Sequence, residues 1–169
     1  MVAPTARSEG GFTYIGILLA LALFGVALAA TGDVWRTAAQ RERERELLFV
    51  GDQFRNALLS YYGATPAGQR RYPRVLEDLV EDNRYPVPRR HLRRIYADPI
   101  TGKPDWVLVD APGGGIAGVH SRSEAKPLKT GNFAAQDVKF EGAGRYSDWK
   151  FGFDDPAAVP STRRAAPTK

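Results

Sequence analysis

Cysteine is absent from this 169-residue chain, which excludes a disulfide framework, a thiolate metal site and a cysteine nucleophile. Histidine is scarce: His91 and His120 are the only two, and neither has a second histidine close by to form a paired metal motif. The chain has no GxSxG elbow and no glycine-rich cradle followed by lysine, so neither a serine nucleophile nor a nucleotide-phosphate loop is indicated. Ser121 beside His120 is adjacency along the chain and not a nucleophile–base geometry. Internal repeats are absent too. Enzymatic activity is not expected.

The most informative absence is of charge. From Gly10 to Gly32 the chain reads GGFTYIGILLALALFGVALAATG, and no charged side chain occurs until Asp33. A run of this length matches the roughly 20 residues a helix needs to cross a bilayer. Its polar residues, Thr13, Tyr14 and Thr31, lie near its ends. Gly11, Gly16, Gly25 and Gly32 would weaken a soluble helix but are common in membrane ones. The spacing predicts a membrane helix. MVAPTARSEGG, the segment before it, is short and ends in small residues directly against the apolar run. A secretory signal places its cleavage site after the apolar run, so any cleavage here belongs on the near side, between Gly11 and Phe12, where paired glycines give an extended backbone cheaply.

The sequence GG-FTYIGILLALALFGVALA resembles the class III signal of type IV pilins and of the pseudopilins of type II secretion. Thr13, Ile15, Leu18 and Leu19 match that motif. The resemblance implies that a prepilin peptidase cuts after Gly11 and methylates Phe12, the first residue of the mature protein. It implies a single-pass protein of the bacterial inner membrane, with a cytoplasmic N-terminus and a periplasmic C-terminal domain. It also implies partners: like subunits and other pseudopilins, an inner-membrane assembly platform with its ATPase, and membrane lipid. The family's usual glutamate at the fifth mature position is replaced by Gly16. That departure weakens a main-shaft role more than it weakens the family resemblance. In a filament core, small residues such as Gly16, Ala20, Gly25 and Ala29 would permit close helix–helix approach. Counting basic residues alone, Arg7 before the run against Arg36, Arg41, Arg43 and Arg45 after it, would put the C-terminal flank in the cytoplasm. The family orientation is preferred because the leader must meet a peptidase acting on the cytoplasmic side.

Beyond Gly32 the helix is expected to continue to Tyr62, with only Gly51 to interrupt good helix formers. Val34, Ala38, Leu47, Val50, Phe54, Leu58 and Tyr61 recur at helical spacing. Arg41-Glu42-Arg43-Glu44-Arg45-Glu46 alternates in sign and reads as a solvated collar, or as charges that set subunit register. A helix from Tyr14 to Tyr62 would span roughly 73 Å. GATPAGQRRYP breaks the pattern, and PRVLEDLVED reads as a short helix with Val75, Leu76, Leu79 and Val80 on its apolar side. Tyr72, Pro73, Leu76 and Leu79 resemble an element of type II major pseudopilins. Trp106 to Val109 and Ile116 to Ser121 read as paired strands about a glycine turn. Their setting, DP-x-T-G-K-x-x-W then GGI-x-GVHS, also looks like secretion-type proteins, with Asp98, Gly102, Trp106, Gly114 and Ser121 matching. Tyr146 to Phe153 has period-two aromatics and reads as a final strand.

The fold class expected is α+β, pilin-like: a long N-terminal helix packed against a small C-terminal antiparallel sheet. Residues 1–11 would be the leader, 12–32 the transmembrane helix, 33–62 its periplasmic continuation, 63–153 a small α+β head, and 154–169 a disordered tail. Basic residues exceed acidic ones, 24 to 19. Arg89, Arg90, Arg93 and Arg94 are expected on one side of a short helical turn, with Leu92 and Ile95 inward, as a candidate partner surface. No cofactor is expected. Family resemblance raises calcium, but the candidates Asp105, Asp110, Asp137 and Asp148 lack calcium-loop spacing. The leading function is a structural subunit of a type II secretion pseudopilus that supports protein export. The alternative is a minor type IV pilin or competence pseudopilin binding DNA or surfaces through the arginine patch, although nucleic acid is disfavoured because few stacking aromatics interleave the arginines.

Overall fold

The computed structural model describes residues 10–65 and 70–153, and in its long helix all side chains except those of residues 10–12 and 27–34. Residues 1–9 of the expected leader and the expected tail from 154 onward lie outside the described residues. The protein is α+β: helices and one three-stranded antiparallel sheet. It divides into two compact units, Met1–Arg41 and Glu42–Lys169.

Helix α1 runs from Gly10 to Ala64, 55 residues. In the first unit every described side chain from Thr13 to Val26 is exposed, including Ile15 at 65%, Phe24 at 69% and Val26 at 70%. A Cβ added at Gly16 or Gly25 would meet nothing within 4 Å. Among the described residues no helix is long and apolar enough to cross a membrane; of the charge-free run, the side chains described are those of 13–26.

The second unit builds its core on one face of α1. Leu47, Val50, Phe54, Ala57, Leu58 and Tyr61 are all buried, because their three- and four-residue spacing stacks them on one side of the helix. Strands β1 (Val107–Asp110), β2 (Ile116–His120) and β3 (Phe151–Gly152) pair in that order. Val107 faces His120 and Val119 faces Phe151, with a bulge between Val109 and Asp110. Packing against β3 explains Gly51, one of two glycines in this half of α1. A Cβ there would overlap the Phe151 ring, so the missing side chain lets β3 approach the helix.

Three expectations change. Only Phe151–Gly152 of the final aromatic segment is strand; Tyr146–Asp148 forms a 3₁₀ turn instead, with Asp148 Oδ2 accepting the Arg145 amide at 3.1 Å. Trp149 and Phe151 are still fully buried, Trp149 stacked on Phe140 and edge-on to Phe133 and Tyr146, and Phe151 edge-on to Phe140, so the aromatic alternation reports burial but not strand. The helix expected after Pro73 shrinks to α2, Glu77–Val80; at its start the Asp78 and Leu79 amides reach back only three residues, to the Val75 and Leu76 carbonyls at 3.3 and 3.1 Å, and the Asp78 carboxylate takes the amides of Arg74 and Val75 at 2.9 and 3.3 Å. Val75, expected on its apolar side, is 49% exposed. The segment carrying Arg89 to Arg94 forms bends and no helix, though Leu92 is buried and Ile95 half-buried.

Candidate functional site

Gly11 and Phe12, the expected processing site, have helical backbone in the first turn of α1. First-turn amides have no intrahelical partner, and Gly10 and Gly11 lower the cost of unwinding. Of the expected assembly residues, Gly16, Ala20 and Gly25 are exposed. The side chain of Ala29 lies outside the described residues.

The charge run from Arg41 to Glu46 is not uniformly solvated. Arg45 and Glu42 form an exposed pair at 2.7 Å, but Glu44 is 3% exposed. Its carboxylate accepts the Leu128 and Lys129 amides at 2.6 and 3.2 Å and the Tyr146 hydroxyl at 2.8 Å. A buried carboxylate is tolerable only when its oxygens are matched in this way. Glu44 therefore ties the 126–129 loop and the 3₁₀ turn at Tyr146 to α1, which alternation of sign could not reveal. Nearby, Arg55 donates to Asp137 at 2.5 Å, to Asp52 at 3.1 Å and to the Gly152 carbonyl at 3.3 Å, joining α1 to β3.

Two of the positions that carry the resemblance meet each other, and others meet different residues. Ser121 donates to Asp98 at 2.6 Å, both side chains being fully buried; Asp98 also takes the Ile100 amide at 2.8 Å. Trp106 donates from Nε1 to the Tyr96 carbonyl at 2.7 Å and sets its ring edge-on to Phe54. The Pro73 carbonyl accepts the Ile116 amide at 2.8 Å. Gly115, at φ 91°, lies so close to Tyr72 that a Cβ would sit 2.8 Å from the tyrosine's own. Spacing along the chain suggested none of these pairings.

A polar cluster closes the C-terminal end of α1. Arg84 donates to Asp82 at 2.7 and 2.8 Å, to Thr65 at 2.5 Å and to the Tyr61 carbonyl at 3.0 Å, while Tyr85 donates its hydroxyl to the Ala64 carbonyl. Cations and donors here satisfy helix carbonyls that have no partner of their own. Asp82, 1% exposed, is held down at a pKa of about 2 by the Arg84 hydrogen bond first, against burial, with Arg84's own amide and His91 adding to the effect. Burial, ahead of its charged neighbours, raises the pKa of Tyr61.

His91 lies between Asp82 (Nε2, 3.2 Å) and Ser60 (Nδ1, 2.8 Å). Serine, histidine and aspartate in a row invite comparison with a hydrolytic triad, but two features argue against it. Arg84 already neutralises Asp82, and Ser60 sits inside α1, where the amides that would cradle an oxyanion are spent on the helix. The cluster is a helix-end lock.

Arg89, Arg90, Arg93 and Arg94 are all exposed. Arg89 lies over the Tyr85 ring at 4.1 Å and Arg94 over Tyr96 at 5.2 Å. The calcium candidates do not converge. Asp105 accepts from Thr101 at 2.9 Å and pairs with Arg122 at 3.4 Å, Asp137 is taken by Arg55, and Asp148 caps its own turn. Asp110 is exposed at the end of β1. Among the described residues no group of three or more metal-ligating side chains occurs. Comparison of the chain with protein-family models, with characterised proteins and with solved structures finds no match.

Proposed function

We propose that this chain is a structural subunit of a pseudopilus of the type II secretion kind, pilin-like in fold and anchored in the bacterial inner membrane by the charge-free half of α1. The observation that carries the reading is that half itself. From Tyr14 to Val26 its large apolar side chains are between 48% and 70% exposed, and a continuous apolar surface of this kind marks a membrane or partner-chain contact. A helix is also the one single segment that satisfies its own backbone in lipid. The second half of α1, with one buried face and a small antiparallel sheet, is consistent with a periplasmic head.

In this reading prepilin peptidase unwinds the first turn, cuts between Gly11 and Phe12 and methylates Phe12. The chain is the object of that chemistry and performs none of its own. Assembly then exchanges lipid for neighbouring helices, and Gly16, Ala20 and Gly25 offer the low surface that close approach needs. The assembly platform and its ATPase supply the work. Intact-mass and N-terminal analysis of the protein purified from membranes, with and without the peptidase, tests the proposal. A mature chain beginning at methylated Phe12 only when the peptidase is present is expected. An uncut chain beginning at Met1 beside an active peptidase would overturn it.

A further inference from the structure

Five arginines of the second unit are already matched: Arg45, Arg55, Arg84, Arg122 and Arg145 each have a carboxylate partner. Among the described residues Arg43, Arg70, Arg71 and Arg74 are exposed without such a partner, and so are Arg89, Arg90, Arg93 and Arg94, which differ in falling together in one short segment. All are exposed, and among the described residues no ion pair engages any of them. Like charges left together in this way repel, and a loose segment would spread them.

This segment is not loose. Asp82 and Arg89 exchange both backbone hydrogen bonds, at 2.8 and 3.3 Å, and the amides of His91 and Leu92 both donate to the Leu79 carbonyl, at 2.9 and 2.7 Å. Leu92, 3% exposed, plugs the segment into the core. Side chains are organised too. Tyr85 is tied through its hydroxyl to the end of α1 and carries Arg89 on its ring, while Tyr96 carries Arg94. A guanidinium stacked on a ring has given up rotamer freedom before any ligand arrives, and its planar fork of N–H donors is retained. Beside these arginines Pro86, Val87 and Pro88 are exposed, and Val87 at 76% is the most exposed large hydrophobic among the described residues.

We propose that Tyr85 to Arg94 is a docking surface for an acidic protein segment, whose carboxylates meet the arginine forks while an apolar side chain covers Val87. Arginine and tyrosine around a small apolar centre is the composition of protein interfaces. Nucleic acid fits less well, because Arg89 and Arg94 already lie on the tyrosine rings that bases would stack on. A lipid surface fits less well because interfacial insertion relies on tryptophan, phenylalanine and leucine, and the one leucine here is buried. Docking of this kind depends on neither the membrane helix nor processing at Phe12.

The test uses the full-length protein in detergent and follows fluorescence anisotropy of a labelled oligo-glutamate peptide with a central valine. A single-stranded DNA oligomer and soluble dihexanoyl phosphatidylglycerol serve as competitors. Saturable peptide binding is expected, weakened about tenfold or more by Arg89→Ala with Arg93→Ala. Arg89→Lys with Arg94→Lys, which keeps the charge and loses the fork, should weaken it severalfold. Arg145→Ala, whose guanidinium is already paired, should leave it unchanged. Near-UV circular dichroism matching wild type shows that the variants are folded. The proposal is overturned by absent peptide binding, by DNA or lipid binding as tightly as the peptide, or by lysine variants that bind like wild type.

Discussion

The two halves of α1 obey opposite rules. From Thr13 to Val26 the helix is apolar on all sides and wholly exposed. From Glu44 to Tyr61 it is mixed in composition, yet its apolar face is almost fully buried, and even the carboxylate of Glu44 is enclosed. Hydrophobicity alone therefore does not decide what this chain covers. Periodicity does: a helix with one apolar stripe can be satisfied by its own domain, whereas one apolar all round needs lipid or other chains. Individual glycines differ too. Gly51 is filled by the Phe151 ring, while Gly16 and Gly25, and Gly63 near the C-terminal end of α1, face open space.

The largest expected break in that contrast is Phe54→Asp. Phe54 is fully buried, with Trp106 and Tyr96 edge-on to its ring at 5.1 and 6.4 Å. Removing the ring and burying an unmatched carboxylate should cost more than about 5 kcal/mol and unfold the second unit. Limited proteolysis of the full chain should lose its resistant fragment from the second unit; a fragment that remains resistant would refute the packing described. Next is Gly51→Val, expected to lower the stability of the second unit by about 1–3 kcal/mol because the new side chain must displace Phe151. Gly25→Val should leave that unit's unfolding free energy, from denaturant titration, within about 0.5 kcal/mol of wild type. Equal effects at the two glycines would erase the distinction between the halves.

Much of the second unit was legible because its signals are local. Leu47, Val50, Phe54, Leu58 and Tyr61 announced a buried face by spacing alone, and Gly113 to Gly115, all at positive φ, announced the turn between β1 and β2. What was not legible depends on partners distant in sequence. Glu44 looked like Glu42 and Glu46 until a loop more than 80 residues later placed two amides on it. His91 looked solitary because Ser60 and Asp82 come from other segments. The aromatic alternation near Trp149 does not distinguish a strand from a 3₁₀ turn followed by a short extended piece, because both can bury the same rings.

Glu44→Gln carries the comparison into charge. The amide keeps one acceptor oxygen but replaces the other with a donor facing backbone N–H groups, so a loss of about 1–3 kcal/mol is expected. Glu42→Gln and Glu46→Gln, on exposed side chains, should change stability by less than about 0.5 kcal/mol. Equal effects from all three would restore the picture of a uniformly solvated collar.

The last expected effect, and the one that tests where the buried half of α1 ends, is a dependence on pH. The Arg84 guanidinium holds Asp82 at about 2, below its ordinary value of 3.8. A carboxyl depressed on folding favours the folded state above its unfolded pKa, and that contribution is lost as pH falls through the folded one. Thermal melts of the full chain should therefore lose stability between about pH 4 and pH 2. Asp82→Asn should be less stable at neutral pH and should flatten that part of the profile, since it can no longer release a proton. Arg84→Ala should move the loss to higher pH, because without the guanidinium only the residue-84 backbone amide and the His91 contact remain to oppose burial. A profile unchanged by both substitutions would show that the helix end is held by the Tyr85 hydroxyl and the core rather than by the Asp82–Arg84 pair.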